Sequence, residues 1–467
     1  MLRLSSYFIL SDRLNNGGYA LLNGLSGAIE FLNEEMYQLL LRITLTGHPH
    51  QLYIDEKAIP DELVETYLKR GHLTQLSHEE ERKLLIEKAA LLHEAESSRP
   101  TVVIAPDIDC NYRCVYCFER PLQAGLKTRK TKMDREEVDA VYQAIGQLES
   151  SVGPTSGRIV LFGGEPLQMA NKELVYYIVE QGCQKGLRFA AITNGHDLQE
   201  FLELLGEDKI DTLQITIDGP PHIHDKRRIS LDGSSSFEKI IANMRRAIEE
   251  TAVRITVRVN LDKENYPAFA ELISIFAREN WLNNERVLIN AAIVYEKDAS
   301  GAVSPLQDVD TMRTELLPLV HEYANVEIGS SQANQSDSVL SSLLLGQPFS
   351  LRSSYCAASC GMYVFLPDSK ISCCWESLGE ENAYIGTYSA YGLELDEDKT
   401  RYRFGRSAAK IPQCADCKYC LLCAGGCSQY AETNYHDIYK PHCDDFPQTY
   451  AWVLADAVEN FLKANGL

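Results

Sequence analysis

The chain has 467 residues, 45% of them hydrophobic and 24% charged, which suits about three domains at ~150 residues each and excludes a disordered or fibrous chain. Its 45 Lys and Arg against 66 Asp and Glu give a formal net charge of −21, which repels phosphate backbones and argues against nucleic acid as a partner. No apolar run reaches the ~20 residues of a membrane span. The apolar start is broken by Ser5, Ser6, Asp12 and Arg13 without a small-residue cleavage site, so no membrane partner and a cytoplasmic location are expected.

Residues 1–98 hold no cysteine and are expected to form a separate small α+β domain. Apolar stretches at 4–10, 19–22 and 28–32, split by Asn15-Asn16-Gly17-Gly18 and by 24–27, predict a strand meander. Helical spacing follows three times: Asn33 as cap before Met36, Leu39, Leu40 and Ile43, then Leu63, Tyr67 and Leu68, then Leu84, Leu85, Ala89 and Leu92. From 99 to 300, six β-branched runs (101–105, 158–162, 188–193, 212–217, 254–260, 286–293) alternate with helical stretches. The first of these helices has Asp134 as cap, with Glu137 three residues on and Val138, Val141, Ile145 and Leu148 along one face. Such alternation makes an α/β parallel sheet, either doubly wound or an incomplete (β/α)6 barrel, with chemistry at the carboxyl ends of the strands. Residues 301–350 read as a polar bridge, with one helical stretch at 312–320 and a loop-like Ser/Gln/Asn run at 330–338. Residues 351–467 are loop-rich and dense in cysteine, ending in a helical stretch at 450–462.

Fourteen cysteines in a chain of this length and location do not make a disulfide framework, so metal or redox chemistry is expected. Cys110, Cys114 and Cys117, directly after the first β run, give C-x3-C-x2-C. Such a loop can bring three thiolates to one face of a four-iron cluster and leave one iron open. A structural zinc site would want a fourth local Cys or His, and none follows.

This motif, with the aromatic Tyr116 before its last cysteine, resembles the signature of the radical SAM superfamily. The resemblance implies a partial (β/α)6 TIM-like barrel, and S-adenosylmethionine chelating the open iron. One electron then splits the sulfonium to a 5′-deoxyadenosyl radical, which takes hydrogen from an unactivated C–H bond. Further strand ends match the family's cofactor contacts. Gly163-Gly164-Glu165-Pro166 offers close backbone approach and a carboxylate for the methionine ammonium. Asn194 after the third run and Thr216 and Asp218 at the fourth lie where the family touches ribose and methionine carboxylate. Arg228 is placed to pair with that carboxylate, and Asn260 ends the fifth run.

Near the carboxyl end, Cys414, Cys417, Cys423 and Cys427 give C-x2-C-x5-C-x3-C, with Cys443 beyond. Cys356 and Cys374 flank the segment 365–371, where Ser369 replaces a turn glycine. Together these resemble the SPASM domain of radical SAM enzymes that modify peptides and proteins, with 365–371 similar to that family's short hairpin. The resemblance implies two auxiliary 4Fe-4S clusters, three in all. One is ligated by Cys414, Cys417, Cys423 and Cys443. The other is held by Cys356, Cys374 and Cys427, with Cys360 or an open iron as the fourth position and Cys373 as an exchangeable neighbour of Cys374. Cys183 reads as a buried inert thiol and Cys420 as spare, while His222 and His224 read as exposed loop imidazoles. A zinc-ribbon binding module is the competing account of the C-x2-C pairs, but such modules on nucleic acid want basic surroundings.

The meander and helices of 1–98 are similar to a RiPP recognition element, a winged-helix-like module that adds a leader peptide as a strand to its sheet; a lid or dimerisation domain is the alternative. The expectation is therefore a peptide maturase acting on a ribosomal precursor with a leader, fed by a low-potential donor such as flavodoxin or ferredoxin. Its product is expected to be a thioether, ahead of a carbon-carbon cross-link or an epimer. The anaerobic sulfatase-maturating type, which makes formylglycine, is a further alternative. That family has an aspartate as base after the third ligand of the first auxiliary group, whereas Trp375 follows Cys374 here, with Glu376 as a possible substitute.

Overall fold

A computed structural model describes residues 2–46, 53, 59, 61–119, 130–297, 303–305, 315–329, 342–343, 349–443 and 446–465. The described residues fall into two compact units, one drawn from Met1–Glu96, Ser330–Cys356 and Arg406–Leu467, the other from Ser97–Gly329 and Ala357–Gly405. The helical stretch expected at 312–320 lies outside the described residues at 312–314, as does the run 330–338.

In the first unit, β1 (Arg3–Leu4) pairs antiparallel with β5 (Leu73–Thr74). The expected meander is present as β2 (Phe8–Leu10), β3 (Tyr19–Asn23) and β4 (Ile29–Leu32), antiparallel in that order. Helices Glu34–Thr46, Asp61–Arg70 and His78–Ser97 follow. Asn33 caps the first of them, its Oδ1 accepting from the Met36 N–H at 2.8 Å, worth about 1 kcal/mol. Ile9, Ala20 and Leu22 of the meander pack with Phe446, Tyr450 and Leu454 of the last helix, Phe446–Ala464.

The second unit is built on one large, mostly parallel sheet, consistent with a partial TIM-like barrel. Its strands are β6 (Thr101–Ile104), β7 (Arg158–Leu161), β8 (Arg188–Thr193), β9 (Ile210–Thr216), β10 (Arg254–Leu261) and β11 (Val287–Ile293). A small antiparallel pair, β12 (Tyr295–Lys297) and β13 (Val303–Pro305), follows. Two additions were not expected. The bridge supplies β14 (Val326–Gly329), parallel to β11, so it is part of the sheet rather than a polar loop throughout. At the other edge the expected hairpin forms from β15 (Met362–Phe365) and β16 (Lys370–Ser372), but β15 also runs parallel to β6, and β17 (Tyr384–Ser389) and β18 (Gly392–Leu395) continue antiparallel. Strand alternation divides the core: Val102, Ile104, Leu161 and Phe189 pack with Val138, Val141, Ile145 and Ile178 of the helices, while Val103, Val160, Ile192 and Val364 meet Phe162 and Trp375 on the other face. The Asp134–Glu137 capping box forms as expected at the start of Arg135–Ser151.

Between β15 and β16 the turn places Asp368 at φ 67° and Ser369 at φ 61°. The left-handed geometry that a glycine would supply is therefore kept without one.

Candidate active site

The cysteine loop leaves the carboxyl end of β6 and is tied down on two sides. On one, the Gly164 N–H donates to the Asp107 carbonyl and the Glu165 N–H to that of Asp109, both at 3.0 Å. A Cβ at Gly163 would lie 2.4 Å from the Asp107 oxygen, and one at Gly164 would lie 2.2 Å from the Asp109 oxygen. The glycines thus admit the cysteine loop's own backbone, where close approach to a ligand was expected. On the other side the Arg113 N–H donates to the Ile229 carbonyl at 2.8 Å and that of Val115 to Arg227 at 3.0 Å. Cys110, Cys114 and Cys117 are half-buried free thiols. Burial raises all three, Cys117 to about 11.

Tyr116 brings three of the expected residues together. Its hydroxyl donates to Asp218 Oδ2 and accepts from Arg228 Nη1 at 2.8 Å and Asn260 Nδ2 at 3.2 Å. The Asn260 N–H reaches Asp218 Oδ1 at 3.3 Å. Asp218 is fully buried, and burial raises its carboxyl against the lowering pull of Arg228. Burial also draws the Arg228 guanidinium down, but Cys114, Tyr116 and Asp218 outweigh it and hold the charge.

Glu165 forms the second group. Its Oε1 accepts from Thr193 Oγ1 at 2.6 Å and the Leu167 N–H at 2.8 Å, and its Oε2 from the Asn194 N–H at 2.6 Å. A carboxylate has roughly four lone-pair sites, so one on Oε2 remains for a cationic ligand. Burial pushes Glu165 up to about 7, opposed by these donors. Asn194 Nδ2 donates to Asn111 Oδ1 at 2.7 Å, beside Cys110. Thr216 is buried at the end of β9.

Several partners here were not singled out from sequence. Asn265 Nδ2 holds the carbonyls of Asp218 and Asn260, both at 2.7 Å. The Tyr112 hydroxyl meets His196 Nδ1 at 3.0 Å. Arg227 lies 5.1 Å from the Tyr116 ring centroid and pairs with Asp262 at 2.6 Å. Glu119 is buried and raised to about 8 by burial and then by Glu165. The two histidines differ from expectation, since His224 lies on the helix Pro221–Arg227 and is fully buried, its Nδ1 accepting from the Asp218 N–H at 3.2 Å. Only His222 of that pair is exposed. Cys183 is partly exposed at a helix end, its Sγ 3.3 Å from the Asp208 carbonyl, rather than buried. Beside the cysteine loop, Phe118, Phe162 and Trp375 stack in series, with centroids 6.5 and 5.5 Å apart.

In the first unit, Cys414 is raised to about 12 by burial and then by Cys423, Cys417 and Cys443, so the four thiols assigned to one cluster are electrostatic neighbours. Cys420 is buried among them and raised by burial, then by Cys414, Cys417 and Cys423. The other assigned set divides between the units: Cys356 and Cys427 in the first, Cys360, Cys373 and Cys374 in the second.

A family model described as the radical SAM superfamily matches residues 108–275, the span from the cysteine loop through β10 and into the helix Phe269–Arg278. The chain carries a radical SAM domain. This radical SAM enzyme is 20% identical over 335 residues to a cysteine-type anaerobic sulfatase-maturating enzyme of Clostridium novyi (strain NT), covering 70% of this chain and 87% of the relative. It is 22% identical over 334 residues to the enzyme of that name from Clostridium perfringens (strain 13 / Type A), covering 68% and 85%. Among solved structures, native anSMEcpe with bound AdoMet superposes with TM-score 0.57 at 17% identity, over 78% of this chain and 99% of that one. SuiB of Streptococcus suis bound to S-adenosylmethionine gives 0.50 at 15%, over 94% and 98%. At such identities the structural likeness is one of fold.

The family binds S-adenosylmethionine and a 4Fe-4S cluster, and the radical SAM site suits both. Three unpaired thiols on one loop are soft donors for iron. The free lone pair of Glu165 and the charged Arg228 suit an ammonium and a carboxylate. Among the described residues no three His, Cys, Asp or Glu side chains converge as a single-ion site, and no helix is long and apolar enough to cross a membrane.

Proposed function

We propose that this radical SAM enzyme matures a ribosomal precursor peptide by forming a thioether, with Cys110, Cys114 and Cys117 holding the catalytic cluster. The cluster and S-adenosylmethionine, when bound, supply a carbon-centred oxidant for an unactivated C–H bond. The chain's own part is placement. Glu165 accepts the methionine ammonium and Arg228, fixed by Tyr116 and Asp218, takes the carboxylate; Asn194, Thr216 and Asn260 line the strand ends around them. Gly163 and Gly164 let the cysteine loop sit against β7. Closing the thioether breaks one C–H and one S–H bond and forms one C–S bond. A hydrogen atom leaves to the oxidant, and a proton and an electron leave separately. Cys414, Cys417, Cys423 and Cys443 would hold an auxiliary cluster, which would supply an outlet for that electron. A flavodoxin or ferredoxin supplies the reducing electron.

The observation that carries this reading is Trp375. An indole follows Cys374 and stacks on Phe162 at 5.5 Å, where formylglycine formation by the sulfatase-maturating type calls for a carboxylate base. The meander β2–β4 supports leader binding by strand addition, since among the described residues β2 and β4 each pair on one side only. Formylglycine formation remains the second reading, favoured by the two clostridial relatives.

A search for a short Cys-rich reading frame beside this gene, then coexpression of the two and weighing of the peptide, separates the readings. Loss of two hydrogens per event with a thiol that no longer alkylates supports the thioether. The same loss with the thiol still reactive indicates a carbon-carbon bond, unchanged mass an epimer, and sulfur replaced by oxygen with loss of two hydrogens formylglycine.

A further inference from the structure

Arg406 is fully buried and is the largest fully enclosed side chain among the described residues. Guanidinium stays charged in proteins, and a buried charge is costly unless it is both hydrogen-bonded and neutralised. The hydrogen bonds are present. Nη1 donates to the Gly426 carbonyl and Nη2 to that of Gly425, each at 2.9 Å; Nη2 also reaches the Lys440 carbonyl at 3.3 Å, and Nε donates to Ile438. The neutralising anion is missing: among the described residues no carboxylate is within ion-pair distance of Arg406. After burial itself, the leading influences on it are cysteines: Cys414 and Cys423 of the set assigned to one cluster, and Cys427 and Cys356 of the other.

The local backbone is shaped for this contact. Ala424, Gly425 and Gly426 stand at φ 55°, 76° and 70°, three consecutive left-handed residues, conformations that glycine adopts at the least cost. A Cβ on Gly425 would sit 3.5 Å from Arg406 Nη2 and 3.7 Å from Cys414 Sγ. Arg406 Nη2 and the Cys414 thiol thus both border the space that such a side chain would fill. The turn aims two carbonyls at Arg406 while carrying the chain from Cys423 to Cys427.

We propose that Arg406 is the built-in counter-ion of an anionic iron-sulfur cluster held by Cys414, Cys417, Cys423 and Cys443. It locks the 424–426 turn and raises that cluster's reduction potential. The sign follows from charge: reduction adds an electron beside a fixed cation, which favours the reduced form. Arg406 is a positioning and tuning residue and touches no substrate. The inference rests on the auxiliary-cluster reading above.

The test is an EPR-monitored redox titration of the full chain, reconstituted anaerobically with iron and sulfide, for wild type, Arg406→Lys and Arg406→Gln. The expected result is a reduction equilibrium at least tenfold less favourable in Arg406→Gln for one cluster, about 59 mV for one electron, and within threefold of wild type in Arg406→Lys. A purely structural clamp would move both variants alike, because both lose the planar fork. Equal potentials in all three proteins at full iron content overturn the proposal. Should Arg406→Gln take up no iron at that site, Arg406→Lys decides: loading with near-wild-type potential supports the counter-ion, and failure to load overturns it. A wild-type chain that holds only about four irons refutes the auxiliary-cluster reading and the proposal with it, whereas loading beyond that with unshifted potentials refutes Arg406 alone.

Discussion

Replacing Tyr116 by phenylalanine removes one oxygen and, with it, the hydrogen bonds to Asp218, Arg228 and Asn260. The ring and its packing stay. Two of the three partners are charged and buried, and a hydrogen bond to a charged group contributes about 1.5–3 kcal/mol against ~1 kcal/mol for a neutral one. Simple addition overshoots in a shared network, so a loss of about 3 kcal/mol is expected. For a unit of this size, ~2 °C per kcal/mol turns that into a fall in Tm of about 6 °C for the second unit. Freed of its tie, Arg228 also loses its fixed position, and S-adenosylmethionine should bind at least tenfold more weakly, about 1.4 kcal/mol. Differential scanning calorimetry of the apo protein and titration calorimetry of the reconstituted protein read the two effects. A Tyr116→Phe protein with unchanged Tm and unchanged affinity would refute the claim that this hydroxyl organises the site.

Three further outcomes are expected. Gly164→Ala drives a methyl to 2.2 Å from the Asp109 carbonyl, so it should cost about 2–3 kcal/mol and lower iron incorporation; normal loading and Tm would contradict the packing. Ser369→Gly relieves a left-handed serine at φ 61° and should gain about 1 kcal/mol, seen as a Tm rise of about 2 °C. His72 is fully buried, and burial lowers it from 6.5 to about 3. The unfolded imidazole binds its proton first, so stability is complete above pH 6.5 and falls as pH drops toward 3, by about 1.4 kcal/mol per unit. Urea unfolding of the first unit followed by fluorescence between pH 7 and 4.5 should show that slope reduced in His72→Leu; an identical slope would remove His72 as its source.

The six parallel strands were legible because each is a β-branched run ending near a turn signal, and helix Arg135–Ser151 because Asp134 and Glu137 make its start local. What could not be read depends on distant partners. β15 resembles one arm of a hairpin in sequence, yet it also pairs with β6, more than 250 residues earlier. The Met-to-Phe run itself carries no mark of that second neighbour. Glu165, Asn194, Asp218, Arg228 and Asn260 were singled out through the family resemblance, and the fold gathers Asp218, Arg228 and Asn260 around the Tyr116 hydroxyl. The role of Tyr116 as the tie among three of them was not legible, since those partners are 102, 112 and 144 positions away. His224 reads as an exposed loop imidazole because no partner ligands lie near it in sequence, but a short helix turns it inward against Phe237. Asn265 and His196 bind backbone and side chains brought near only by the fold.

The central claim is that the loop of Cys110, Cys114 and Cys117 holds the cluster at which S-adenosylmethionine is split. Its direct measure is 5′-deoxyadenosine, quantified by chromatography after the iron-loaded protein is mixed with reductant and S-adenosylmethionine without oxygen. The account predicts that wild type yields it and that a variant with all three cysteines changed to alanine yields none while still binding iron elsewhere. Equal yield from the triple variant, or none from fully loaded wild type even with its modified peptide's precursor present, would contradict it.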